Sequence, residues 1–303
     1  MLVRDTGAVF QSLLSPDRSI HVFSLRVQLP SIFRYIVSIN LYLPKGGGFY
    51  MKIRHDIILV VVMSVAFSST AFLLPRLRAA EVDHSIYAEL LSKFVTDGVV
   101  NYRGFKNAEQ RLDDYLKVLE ITETKSLSRH EQYAFYINAY NAWTIKLILS
   151  GYPGVQSIKD LGSIFKSPWK KKIARIDGSV IALDDIEHGI IIPRFRDPRV
   201  HFALNCASKG CPPLISEPYL GRMIDRQLDR STRAFLNDPE RNYLAGDTLY
   251  VSKIFKWYKE DFGNYIIQFI IKHSDNSLRN NLLQKESRIT VKYHEYDWSL
   301  NGR

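Results

Sequence analysis

The chain has 303 residues, 46% of them hydrophobic and 24% charged, and a formal net charge of +10. Residues 1–80 hold nine Lys or Arg against three Asp or Glu, which leaves residues 81–303 with 32 basic and 28 acidic side chains and a net of only +4. That balance is too mild to argue for a nucleic-acid partner, and the sequence shows neither a phosphate loop nor a dinucleotide fingerprint.

The first organised segment begins at Met51. Lys52, Arg54 and His55, with a single acid at Asp56, precede an uncharged run, IILVVVMSVAFSSTAFLL, at 57–74. A cationic start followed by an apolar run is the layout of a secretory signal peptide. Eighteen residues of helix span about 27 Å, just short of a hydrocarbon core of roughly 30 Å. Ser69-Thr70-Ala71 offers small residues at −3 and −1 of a cleavage site. The expectation is a leader at 51–80, cleaved to give a periplasmic or secreted protein, or retained as an inner-membrane anchor. Residues 57–74 are then the sole membrane contact. The preceding KGGG, with Lys45 followed by glycines, is encodable as a purine-rich ribosome-binding sequence. Residues 1–50 are therefore expected to be translated upstream sequence. The rival reading is a genuine extension with a weak apolar patch at 32–43.

From residue 81 the chain reads as one domain of about 223 residues, enough for its own core. Residues 86–95 are apolar at helical spacing, and 107–121 are amphipathic with Leu112, Leu116 and Leu119 on one side. Ser128 and Glu131 form a capping box that opens a long, largely buried helix, closed by Gly151 as C-cap. KKIARI and SVIAL flank Asp177-Gly178, a strong hairpin signal. In DDIEHGIIIPRF, Asp184 or Asp185 is placed to cap a short helix. VHFALNC reads as a buried strand, 220–236 and 265–273 as helices, Gly246-Asp247 as the turn of a second hairpin, and SRITVKYHEY as a last strand. Hairpins mixed with helices, without regular βαβ alternation, predict an α+β fold. That fold is a single domain in which a mixed or antiparallel sheet with hairpins packs against several helices, one of them long, central and buried.

Three stretches carry candidate chemistry. Asn138 and Asn141, spaced i, i+3, share a helix face among aromatics. Either they tie the helix to a loop backbone or they line a site. Glu187 and His188 sit among isoleucines, where a carboxylate and an imidazole can serve acid–base chemistry; the bland reading is a capping Glu and a surface His. In RDPRVHFALNCASKGCPPLI, strand alternation would put His201 and Asn205 on one face and Cys206 on the other. Cys206 stands where strand becomes loop, and His188 is the base expected to activate it. The two cysteines, Cys206 and Cys211, can equally close a small disulfide loop or remain inert buried thiols. Zinc from these cysteines with His201 or His188 is a third option, though no recognised metal-ligand spacing occurs.

FYINAYNAWTI, IALDDIEHGII, DPRVHFALNCASKGCPPL and the final YDWSLN together resemble the domain-of-unknown-function family 547, of the exported bacterial type, over about 128–301. By motif, the resemblance marks Asn138, Asn141, Glu187, His188, His201, Asn205, Cys206, Cys211 and Asp297 as positions of interest. Two functions are expected of the chain. One is a thiol-dependent hydrolase of amides or esters, in which Cys206 attacks, His188 moves the proton, and Glu187 or Asn141 orients the imidazole. The other is a non-catalytic binding module for a small molecule or peptide, with Cys206–Cys211 as a structural disulfide. No cofactor and no metal is expected.

Overall fold

The computed structural model describes residues 81–163, 165–263 and 265–302, together with the backbone of four strands nearer the N-terminus. The leader at 57–74 lies outside the described residues. The chain divides into two compact units, Met1–Leu77 and Arg78–Arg303. In the first, β1 (Ala8–Leu13), β2 (Ile20–Gln28), β3 (Ile36–Pro44) and β4 (Tyr50–Met51) form an antiparallel sheet in that order.

The second unit is α+β. It begins with α1 (Ser85–Phe94), a short hairpin of β5 (Val95–Thr96) and β6 (Val99–Val100), then α2 (Tyr102–Asn107) and α3 (Glu109–Ile121). Next comes α4 (Arg129–Leu149). Its start follows the sequence signal in part. Ser128 accepts the Glu131 N–H, while the Glu131 carboxylate turns to accept the N–H of Val82. Every residue from Glu131 to Leu149 except Lys146 is buried, so α4 is the axis of the larger apolar core. Lys146 stays half-buried by pairing with Glu109 and Asp113 of α3. The helix ends at Leu149 with Ser150 as its cap. Gly151 follows without a left-handed turn; its missing Cβ leaves room for Leu161, whose Cδ2 would otherwise lie at 2.5 Å.

The Asp177-Gly178 hairpin forms as predicted, from β7 (Lys172–Ile176) and β8 (Ser179–Ala182). Both turn residues have positive φ, 50° and 72°, which is the geometry that suits strand twist. A π-helical segment, Asp185–Ile191, runs into α5 (Ile192–Phe195). The predicted strand VHFALNC is not a strand. Asp197 accepts the N–H of Arg199, Pro198 occupies the first helical position, and Pro198–Phe202 winds as a 3₁₀ turn. Local capping chemistry here outweighs an apolar, β-like composition.

The helix α6 (Ile224–Leu236) is followed by the second predicted hairpin, β9 (Tyr243–Ala245) and β10 (Thr248–Val251). After α7 (Ile254–Trp257), α8 (Ile266–His273) and α9 (Asn276–Lys285), β11 (Thr290–Tyr293) adds in parallel to β10. These elements enclose a second, phenylalanine-rich core with Phe202, Phe235, Phe255 and Phe262 at its centre. The C-terminal segment then straps back over the larger core. Val100 N–H donates to the Asn301 carbonyl, and Tyr102 OH to Asn301 Oδ1. Among the described residues no helix is long and apolar enough to cross a membrane.

Candidate functional site

The central helix builds the site by holding a loop. Asn141 Oδ1 accepts the backbone N–H of Asn205 at 2.8 Å, and its Nδ2 donates to the Ala203 carbonyl at 3.0 Å. Asn205 continues the chain, donating to the Pro212 carbonyl and accepting from Ala207 N–H and Asn301 Nδ2. One turn earlier, Asn138 clamps Tyr219 in the same two-point manner, through its carbonyl and its N–H. Asn138 and Asn141 are 1% and 2% exposed. Their amides satisfy backbone groups that would otherwise be buried unpaired. Asn141 and Asn205 thereby hold the backbone around the Cys206–Cys211 loop, and Asn138 holds Tyr219.

That loop forms one wall of a cavity of about 240 Å³ on the seam between the two apolar cores. Four expected residues from two neighbouring segments meet there: Glu187 and His188, then His201 and Cys206, with Cys211 beside them. The sulfurs of Cys206 and Cys211 are bonded to each other. In this state Cys206 has no thiolate. Both sulfurs touch the Tyr296 hydroxyl, at 3.1 and 3.2 Å, and Cys206 N–H points at the Cys211 sulfur at 2.8 Å.

Glu187 enters through the π-helical segment. Pro193, just beyond it, has no N–H to return to the carbonyl of Gly189, so an ordinary α-helix is disfavoured there. Neither Asp184 nor Asp185 caps it as predicted; Asp185 Oδ2 instead reaches back to the Ala182 N–H. Glu187 is only 6% exposed, while the neighbouring His188 is exposed. The Tyr258 hydroxyl donates to Glu187 Oε1, and Tyr140 interacts with the same carboxylate. Burial, and then the Glu187 charge, hold the Tyr140 and Tyr258 phenols well above their usual range. Burial pushes Tyr296 up to about 12. All three phenols thus remain donors at neutral pH.

His201 is buried, with its ring stacked on Tyr258 at 3.8 Å between centroids and its Nε2 2.7 Å from Asp261 Oδ2. The His188 ring lies 6.0 Å from the other partner of this stack, Tyr258. Because the segment is a 3₁₀ turn rather than a strand, His201 and Cys206 reach one cavity instead of opposite faces. The lining is also aromatic. Trp257, Tyr296 and Trp298 form a mutual cluster with centroid separations of 4.5 to 5.6 Å, and Trp169 joins Trp298 at 5.8 Å.

Asp297 stays out of this cavity. Its carboxylate accepts from the N–H and hydroxyl of Ser299, which hold it below the usual carboxylate range, and its carbonyl accepts the Gly210 N–H. It shapes the strap and lines a separate groove behind the disulfide. The aromatic wall was not marked by the sequence reading, although Tyr296 and Trp298 flank Asp297 in the YDWSLN motif. No group of three or more His, Cys, Asp or Glu suited to a metal ion occurs among the described residues.

Residues 124–236 match the model of the family described as "Protein of unknown function, DUF547". This chain carries a DUF547 domain. The matched range contains α4, the π-helical segment and the cysteine loop, and so most of the cavity lining. Trp257, Tyr258, Tyr296 and Trp298 lie beyond it, as does the YDWSLN motif. No curated protein and no solved structure matches the chain.

Proposed function

We propose that the DUF547 domain of this chain works as a ligand-binding module, with the Cys206–Cys211 disulfide bracing one wall of the cavity. One observation carries this reading: the cross-linked loop, the buried Glu187 and the aromatic cluster line a single concave site. A few convergent polar groups among aromatic walls is the usual composition of a small-molecule site. At about 240 Å³ the cavity is small for such sites, which favours a compact ligand over a peptide. The domain is read as exported, periplasmic or secreted, since a disulfide persists in oxidising compartments and the 57–74 run has the layout of a leader.

The test is an NMR screen of the oxidised protein with small cationic, neutral and anionic fragments, watching the indole N–H signals of Trp169, Trp257 and Trp298. Binding of at least one class at these indoles is expected. No response from any class would overturn the module. Alkylation of the non-reduced protein should leave both cysteines unlabelled.

A second reading is supported by the meeting of Cys206 with Glu187, His188 and His201. A dithiol reductant would open the disulfide, and the freed Cys206 thiolate would attack an amide or ester carbonyl. An acyl-thioester forms, the amine or alcohol leaves with a proton from His188, and water releases the acid. Hydrolysis that requires reductant and is lost in Cys206→Ala would establish this reading, and activity of the oxidised protein would exclude it.

A further inference from the structure

Glu187 poses an electrostatic problem. It is 6% exposed, and the partners the structure gives its carboxylate are phenol hydroxyls, those of Tyr258 and Tyr140. Buried carboxylates are ordinarily met by a cation. Among the described residues no Lys or Arg lines the cavity. The histidines do not fill the role: His201 is engaged by Asp261, and His188 is an exposed chain neighbour of Glu187. Asp184 adds a second carboxylate to the lining, with no hydrogen bond or ion pair among the described residues.

The aromatic part of the same lining is the complement of a cation. Trp257, Tyr296 and Trp298 present ring surfaces whose quadrupoles attract positive charge. One of these rings already holds a cation, since Lys159 Nζ lies 3.8 Å from the Trp298 centroid. The rings supply attraction and apolar contact, and Glu187 supplies the formal counter-charge.

We propose that the cavity binds a small organic cation, with an alkyl- or quaternary-ammonium head set between the Glu187 carboxylate and the Trp257–Tyr296–Trp298 wall. The proposal rests on the reading of the cavity as a ligand site. An ammonium head is matched by a carboxylate and aromatic faces, whereas an anion would meet two carboxylates. The bonded sulfurs adjoin that wall, in contact with the Tyr296 hydroxyl.

The experiment compares choline with its uncharged carbon isostere, 3,3-dimethylbutan-1-ol, by calorimetry and indole NMR on the disulfide-bonded full chain. Choline is expected to bind, with the isostere weaker by about tenfold or more. Glu187→Gln should erase most of that discrimination. Trp257, at 46% exposure, can be replaced with little risk to folding, so Trp257→Ala provides a second variant and should weaken choline by several-fold. Equal binding of choline and isostere overturns the proposal, as does choline binding that neither variant weakens. If only neutral or anionic fragments bind, the cation assignment falls and the cavity reading stands. If no fragment of any charge binds, both fall.

Discussion

Asn141 grips both sides of one peptide turn, accepting from the N–H of Asn205 and donating to the carbonyl of Ala203. Three residues, Ala203 to Asn205, are thereby fixed to the central helix just before the first cysteine. Asn141→Ala leaves a buried N–H and a buried carbonyl unpaired, which costs about 2–4 kcal/mol. Asn141→Asp keeps the acceptor and loses the donor, and faces the Ala203 carbonyl with a carboxylate. Urea unfolding should rank wild type above both variants. A variant within about 0.5 kcal/mol of wild type would remove the clamp from the account.

The disulfide closes a short loop between cysteines five apart in sequence. Loop-closure entropy for so short a ring predicts that opening it lowers stability by about 2 kcal/mol. Reduction with a dithiol, or Cys206→Ala with Cys211→Ala, should therefore shift the urea midpoint down without unfolding the protein. Tryptophan fluorescence should change as well, because Tyr296, packed on both Trp257 and Trp298, loses its contact with the bonded sulfurs. An unchanged spectrum would show that the aromatic wall does not sense the loop.

What the sequence made legible were features written locally. The capping residue Ser128, the Asp177-Gly178 turn and the Gly246-Asp247 turn each specify a backbone geometry with two or three residues, and each element formed where expected. VHFALNC was misread because composition and capping conflict there; Asp197-Pro198 starts a turn that the apolar run alone does not reveal. The sequence reading pairs Cys206 with His188 and Glu187, whereas strand alternation sets His201 on the opposite face. The partners of these residues could not be expected from motif order. Tyr258 and Asp261 lie in an unpatterned stretch after β10, and Trp169, Trp257 and Trp298 come together only because the strap at 296–302 folds back onto the larger core. No periodicity relates them. The two asparagines on α4 illustrate the converse: a polar pair in a greasy helix guarantees a polar partner, and that partner proved to be backbone.

Two glycines separate steric from conformational demands. A Cβ at Gly221 would lie 2.0 Å from Glu131 Oε2 and 2.7 Å from the Glu131 backbone, so the start of α4 must move to admit it. Gly189 meets nothing within 4 Å and has ordinary φ. Gly221→Ala is expected to cost about 1–3 kcal/mol, as overpacking does. Gly189→Ala should stay within about 0.5 kcal/mol of wild type. Thermal melts of the two variants check this, and a Gly221→Ala melt matching wild type would mean that the loop around Gly221 yields freely.

His84 gives the fold a defined acid sensitivity. It is 4% exposed, with Nδ1 2.8 Å from Tyr115 OH and Nε2 3.3 Å from Asn138 Nδ2. Burial lowers its pKa from 6.5 to about 4, with the adjacent Asp83 opposing weakly. The unfolded chain therefore takes up a proton near pH 6.5 that the folded chain refuses until about pH 4. Where the unfolded state binds more protons, stability rises with pH. This contribution is complete above about pH 6.5, is lost progressively as pH falls from there to about 4, and is constant below. The full swing is about 3 kcal/mol. Urea midpoints for wild type and His84→Gln, taken at intervals across that window, isolate the histidine from the general titration of carboxylates. The wild type should lose more stability than the variant between pH 6.5 and 4. Parallel curves would mean that His84 takes up its proton as readily in the fold as outside it.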